Sequence, residues 1–389
     1  MTASRRRGFL KVAGAAAIGA TAAVGWRAWD QGVFSAGEGP AYSAWQTWES
    51  AAPSPVHRLL RAAILAANPH NTQPWRFRIT PATVDLFADH SRNIGTIDPY
   101  LREMHIGLGC ALENLLLAAP AAGFSYDLEL LPIPADPTHL ARVRLHPQTA
   151  APSALYHAIP HRHTNRGAYD SRAVPASLLE DLGRLGADLR LVSVQWIVDE
   201  KARRRLGELI VQATQAIIAD REQSRDSAAW FRADWHDVQQ RRDGLTVDAQ
   251  ALPGWLRVAA KVLPPVSQEQ ADSIWLKNTR EVQTATAAAY GIVRARDPFD
   301  NANRIEGGRL WQRIQLKAQT LGLAMQPLNQ LPERADRERM LGIDDRFKRA
   351  LADVTGDTAW HALMPFRLGY ATVIAQPSPR RHVEDVIVA

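Results

Sequence analysis

Val56, Leu59, Leu60, Ala63, Ile64 and Ala67 recur at three- and four-residue spacing and predict an amphipathic helix that stops at Asn68-Pro69. The period then changes. "RFRIT" and "VDLFA", parted by Pro81-Ala82-Thr83, alternate instead and predict a strand pair with Phe77 and Ile79 on one face. Asp98-Pro99 is an N-cap and first-turn pair that opens a long helix through "GLGCALENLLLAA". "DLELLP" and "ARVRLH" read as two more short strands. From about residue 150 the pattern restarts: a helix over 176–186, the strand "LRLVSV", a long helix over 200–220, strand-like "AAYGIVRA", and a long helix beginning near Glu306. Residues 221–270 carry Trp230, Trp235 and Trp255 among charges and prolines, with no clean strand, and predict a helical insertion.

One stretch repeats. "GCALENLLLAAPAAGFSY" (109–126) aligns without gaps to "GRLWQRIQLKAQTLGLAM" (308–325), matching both glycines, Leu117 with Leu316 and Ala119 with Ala318. Two long helices, each ending at glycine before a strand, predict two copies of one unit packed through those helices. A chain of 389 residues is long enough for that. The halves fall at 56–150 and 151–389, after a Gly-, Ala-, Ser- and Pro-rich linker over 30–55.

Charge adds less than it first suggests. Of the net +6, Arg5, Arg6, Arg7, Lys11 and Arg27 contribute five before the first acid, Asp30, which argues against nucleic acid as a partner. "RRGFLK" followed by "VAGAAAIGATAAVG" resembles a twin-arginine export signal, placing a signal or anchor over 1–29. Without an A-x-A site near residues 26–35, cleavage and retention both stay open. The expectation is export by the Tat machinery to the periplasm, or anchoring at the outer face of the inner membrane. Such export carries folded proteins, often with a cofactor in place. Cys110, the single cysteine, excludes an intramolecular disulfide and a cysteine zinc site, and its apolar helix predicts a packed, inert thiol. His161 and His163 have no further ligands at metal spacing, so no metal is expected.

Three polar clusters are left over by core packing. In "ANPHNTQPWRF" (67–77), His70, Asn71, Thr72 and Gln73 crowd one loop. In "HRHTNRGAYD" (161–170), Arg162, Thr164 and Arg166 alternate, so an extended backbone turns two guanidinium groups and a hydroxyl to one side, a phosphate receptor by type. The third is "SPRR" (378–381). With no Walker loop and no G-x-G-x-x-G after a strand, any phosphate falls to side chains.

Together these clusters resemble the FMN-dependent nitroreductase superfamily, most closely its Acg-like branch of fused two-unit chains, from about residue 56 to the C-terminus. "NPHNTQPWRF" is similar to that family's P-S-S-x-N-x-Q-P-W-x-F loop, which lies against the flavin from the partner subunit. "HRHTNR" is similar to its R-x-S-x-[RK] phosphate motif. "LGLAMQPLNQ" resembles L-G-L-x-x-x-P-I-E-G, whose backbone faces flavin N5, here Pro327, Asn329 and Gln330. Arg380 and Arg381 match the C-terminal basic pair. The chain departs from the pattern where Ala67, Asn68 and Pro69 replace Pro-Ser-Ser and where Asn329-Gln330 replaces Glu-Gly.

The resemblance implies an α+β nitroreductase-like fold, two tandem units forming an intramolecular pseudo-dimer, and a lid made by the insertion over about 221–270. No R-x-S-x-R copy occurs near residue 56, so one FMN per chain is implied, held between the halves by His70, Asn71, Gln73, Arg162, Thr164, Arg166, Pro327, Asn329, Gln330, Arg380 and Arg381. His70, Asn71 and Gln73 would hydrogen-bond the isoalloxazine edge or ribityl chain, and Trp75 would pack beneath the loop. The activity implied is two-electron reduction of an electron-poor aromatic or quinone in a ping-pong flavin cycle, with no side-chain acid or base assigned. The exported address and the lid point to a quinol or membrane redox donor. The alternative is a non-catalytic FMN store.

Overall fold

The computed structural model describes residues 22–48, 50–357 and 359–388; the arginine pair and most of the apolar run of the expected export signal lie outside them. The fold is α+β, built on two separate four-stranded antiparallel sheets. The first has the order β1-β2-β4-β3, with β1 Trp75–Ile79, β2 Thr83–Ala88, β3 Phe124–Leu130 and β4 His139–Pro147. β1 alternates as its sequence predicts: Trp75 and Phe77 are buried, Arg76 and Arg78 exposed. The second sheet has the order β5-β8-β10-β9, from Val192–Ile197, Ala289–Ala295, His361–Gly369 and Ala324–Pro327. Its inner strands β8 and β10 are buried almost continuously, because elements cover both faces.

Two twenty-residue helices, Arg102–Ala121 and Asn301–Thr320, pack against each other between the sheets. They touch at the matched glycines. A Cβ on Gly109 would sit 2.1 Å from the Ile305 carbonyl oxygen, and one on Gly308 would sit 2.0 Å from that of Ile106. Each glycine meets the residue three before the other, so the contact is reciprocal, as in a two-fold interface. Farther along, Gln312 donates to Asn114 at 2.8 Å, and Glu113 pairs with Arg309 at 2.8 Å and Arg313 at 2.6 Å.

Several expectations shift. The first long helix starts at Arg102, three residues late, because Leu101 turns into the left-handed region (φ 59). Asp98 still caps it, accepting the Met104 N–H at 2.9 Å. The second begins at Asn301, earlier than Glu306, under the Asp300 cap. The expected helix over 176–186 ends at Arg184, and "LRLVSV" becomes a strand only from Val192. The insertion is helical over Arg221–Ala228, Trp235–Arg241, Gly254–Val262 and Gln268–Asn278. It also holds a parallel pair of two-residue strands, β6 Phe231–Arg232 and β7 Leu245–Thr246. The expected linker is not a loose tether. Ala41 and Tyr42 are buried against Val238 of the insertion, Gln31 bonds Asp234, and the Trp45 indole donates to the Ser378 carbonyl at 2.8 Å.

Two extended segments tie these parts together. Within the second half, the stretch 168–170 pairs with the residues just after β10: Asp170 N–H donates to Tyr370 O at 2.8 Å and Thr372 N–H to Ala168 O at 3.0 Å. The C-terminus returns to the first sheet and lies parallel to the edge strand β1 at Phe77, through Phe77 N–H to Val386 O and Val388 N–H to Phe77 O, both 2.8 Å. These crossings bring the three polar clusters together.

Candidate functional site

The loop after Asn68-Pro69 is wound tightly. His70, Asn71 and Gln73 all have positive φ (45°, 56° and 54°), costing roughly 1–2 kcal/mol for each side-chain-bearing residue. Tertiary hydrogen bonds hold them there. Asn68 Oδ1 accepts the Gln73 N–H at 2.8 Å. The Asn71 amide donates to Pro379 O at 2.9 Å and Gly244 O at 3.2 Å, and its Oδ1 accepts from Arg380 at 2.5 Å. Gln73 donates to Arg242 O at 2.8 Å and accepts the Arg381 N–H at 2.8 Å. Asn71 and Gln73 therefore clasp the insertion and the C-terminal arm to the loop, rather than presenting free amides to a ring edge as expected. His70 contacts Ser227 of the insertion at 3.3 Å. Burial, reinforced by the Arg166 charge, lowers its pKa to about 4, so the imidazole is neutral. Trp75 is fully buried beneath the loop, as its sequence context predicts.

Beside this clasp lies a group of arginines with no counter-ion. Arg162 donates to Gln315 Oε1 at 3.1 Å and Leu65 O at 3.2 Å, Arg166 to Ala249 O at 3.2 Å, and Arg380 also to Ala66 O at 3.1 Å. Every partner is neutral. Among the described residues no carboxylate contributes to the environment of these three groups. Burial lowers the pKa of Arg162 and of Arg166 to about 10, with Arg166 adding to the effect at Arg162. Burial and then Arg162 push Arg380 well below its ordinary value. His163, neutral with a pKa lowered to about 3 by burial and then by Arg162 and Arg380, stands beside them. Arg162 Nε, Arg380 Nε, Gln315 Nε2 and His163 Nδ1 are all buried without a partner. A buried cation lacking both counter-ion and full hydrogen bonding costs several kcal/mol. Unsatisfied donors clustered around mutually repelling guanidiniums make a receptor for a multiply charged anion.

The remaining expected positions divide. Asn165 N–H donates to Met325 O at 3.2 Å, which lays the 161–167 strip along β9, whose last residue is Pro327. Asn329 and Gln330 open the next helix, Gln330–Leu341, with Asn329 Oδ1 and Gln330 Oε1 buried and unpartnered. Thr164 is half-buried and makes no hydrogen bond among the described residues. Arg381 does not join Arg380. It turns outward, donating to Asp385 O at 2.6 Å, because neighbouring residues of an extended arm face opposite ways.

Sequence reasoning missed Arg367. It is fully buried in β10, donating to Gly167 O at 2.6 Å and Gln326 Oε1 at 2.8 Å, and so holds the arginine strip against the second sheet. The signal was present: one arginine inside the apolar strand "LMPFRLGY". In the sequence His163 offers only a metal-ligand reading and Gln315 only a place in a repeated helix.

No family model matches the chain. The Mycobacterium tuberculosis protein named "Putative NAD(P)H nitroreductase Rv3131" is 28% identical over 343 residues, 85% of this chain and 90% of that one. The chain is similar to proteins named as nitroreductases. A second M. tuberculosis protein, "Putative NAD(P)H nitroreductase acg", is 38% identical over 92 residues, 24% of this chain and 28% of its own length. Among solved structures, the FMN-dependent nitroreductase NfnB of Mycobacterium smegmatis, in complex with NADPH, gives a TM-score of 0.38 at 16% identity, covering 61% of this chain and 97% of that one. A Bacteroides fragilis nitroreductase with bound FMN gives 0.32 at 15% identity, covering 57% and 89%.

Proposed function

We propose that this chain is an FMN-dependent oxidoreductase of the nitroreductase type, reducing an electron-poor aromatic or quinone by two electrons. The carrying observation is the set of buried arginines without carboxylates, together with the orphaned nitrogens of Arg162, Arg380, Gln315 and His163. These groups fit a phosphate monoester, which carries close to two charges and three acceptor oxygens. Arg162, Arg166 and Arg380 would hold the FMN phosphate. Asn329 and Gln330, whose side-chain oxygens are buried without donors, would meet polar groups of the ring. When bound, FMN supplies a two-electron carrier that accepts hydride at N5 and passes it on.

The protein's own part is to bind, orient and exclude water. The reciprocal contact at Gly109 and Gly308, with the C-terminal arm crossing to the first sheet, supports reading the halves as an intramolecular pseudo-dimer with one flavin between them. Asn71, Gln73 and His70 fasten the insertion over that junction, which supports its role as a lid. In this reading the twin-arginine-like segment carries the protein out of the cytoplasm, apart from the NAD(P)H pool, and a quinol or membrane redox partner is the donor. The names of the relatives favour turnover over FMN storage.

The test begins with the absorbance spectrum of the purified protein and identification of the flavin released on denaturation. FMN is expected, and a colourless protein that takes up no FMN overturns the reading. Anaerobic bleaching by a reduced soluble quinone, faster than by saturating NADH or NADPH, is then expected. Fast bleaching by a nicotinamide overturns the donor assignment alone.

A further inference from the structure

The helix Gly254–Val262 is amphipathic the wrong way round for a soluble protein. Its cations turn inward: Lys261 Nζ lies 2.7 Å from Asp248 Oδ2 and also donates to Gly32 O at 3.0 Å, while Arg257 lies 3.5 Å from Asp248 Oδ1. Its apolar residues turn outward. Trp255 is 74% exposed and Leu256 37%, with Leu263 just beyond the helix at 60%. Ordinary surface helices do the reverse. The segment beside it behaves likewise: Trp26 (62%), Trp29 (72%) and Phe34 (78%) are open to solvent. Arg27 Nε donates to Val262 O at 2.7 Å, and Lys261 reaches Gly32, so the two segments are stapled side by side.

We infer that this joined face, residues 22–34 with the helix Gly254–Val262, docks flat on a lipid bilayer. Tryptophan rings, apolar with one polar N–H, favour the headgroup boundary, and three of them lie on these two segments. The occupant follows from where the chain comes from. Residues 12–21, "VAGAAAIGAT", are apolar and uncharged, follow Arg5, Arg6, Arg7 and Lys11, and run directly into the segment carrying Trp26 and Trp29. A lipid-facing patch at that point lets the folded part lie against the membrane its N-terminal segment addresses. The inference is independent of the flavin assignment, and its readout uses no flavin.

Cys110 is buried and reduced, with burial raising its thiol pKa, so a cysteine introduced on the surface takes a thiol-reactive dye selectively. Full-length Trp255→Cys would be labelled with a polarity-sensitive fluorophore and mixed with phosphatidylethanolamine–phosphatidylglycerol vesicles. Asp127→Cys, labelled on the outer strand of the first sheet, is the reference. A blue shift with several-fold brighter emission at 255, quenched by brominated acyl chains and absent at 127, is expected. Adding Leu256→Ser and Leu263→Ser should reduce it. No response at 255, or equal responses at both positions, overturns the proposal. So does a response without vesicles that grows with protein concentration, which would make the face an interface between copies.

Discussion

The two-half arrangement stands or falls at one point, where the long helices cross. In Gly308→Ala the new methyl would lie 2.0 Å from the Ile106 carbonyl oxygen, and in Gly109→Ala 2.1 Å from that of Ile305. An ordinary C···O approach needs about 3.3 Å, so the helices must part by roughly 1.3 Å. The obstacle is backbone in the middle of a buried helix, which no rotamer change removes. A radial gap of 0.5–1 Å already forfeits about a quarter to a half of each dispersion contact. Parting also stretches Glu113 from Arg309 and Arg313, and Asn114 from Gln312. Overpacking costs about 1–3 kcal/mol where side chains can yield, and this site belongs at or above the top of that range. Alanine's better helix propensity offsets about 1 kcal/mol, leaving a net loss of about 2 kcal/mol or more for each single variant. The double variant is the sharper test. One outward shift relieves both clashes, so its loss should fall well short of the sum. Urea unfolding of the four proteins measures this. Gly254→Ala, where a Cβ meets nothing within 4 Å, should be near neutral and serves as control. Losses below about 1 kcal/mol, or an additive double variant, would refute the crossing as drawn.

Arg380→Met removes a buried cation of the proposed phosphate receptor and should weaken FMN retention by roughly 2–5 kcal/mol while leaving riboflavin binding nearly unchanged. Equal weakening of both flavins by equilibrium dialysis would put the arginine elsewhere. Asn71→Ala breaks the bonds to Gly244, Pro379 and Arg380 and should speed flavin reduction by dithionite in stopped flow. An unchanged rate with intact flavin would mean the insertion does not gate access. One contribution to stability should fall as pH rises through the weakly acidic range, against the opposite contribution of His70 and His163, whose lowered pKa values favour the folded state as pH rises. Asp98 is raised to about 6 by burial and then by Glu103, and Glu333 well above its ordinary value by burial and then by Glu103. At these two carboxyls the folded state holds protons that the unfolded chain has released, and their contribution is complete below the unfolded pKa and is lost through about pH 6 and above. Glu333→Gln should raise the Tm at neutral pH by more than at about pH 5; a difference between variant and wild type that stays constant or shrinks as pH rises would contradict this.

Local pattern carried much of the fold. The alternation around Phe77 placed β1 and β2, and apolar periodicity placed the long helices, because strand and helix periods are properties of a few neighbouring residues. The repeat around Gly109 and Gly308 even marked the crossing, since a Cβ-free position is what two touching backbones require. Boundaries were less legible. Asp98 signalled a cap, but the left-handed turn at Leu101 delayed the helix while the same carboxylate reached Met104. The residue types of the candidate site were visible as well, in Arg162, Arg166 and Arg380. Their partners were not. An amide donates equally well to a ring carbonyl or to a backbone one, so only the crossing of the C-terminal arm and the insertion committed Asn71 and Gln73 to Pro379, Gly244 and Arg242. Arg380 and Arg381 are indistinguishable in sequence, and the extended arm turned one into the cluster and the other out to Asp385. Arg367 was hidden by the apolar strand around it. The chain's own pattern therefore determined which elements form and which residue types the polar loops carry. Which of their charges meet depended on contacts spanning as many as 314 residues, which only the tertiary structure could decide.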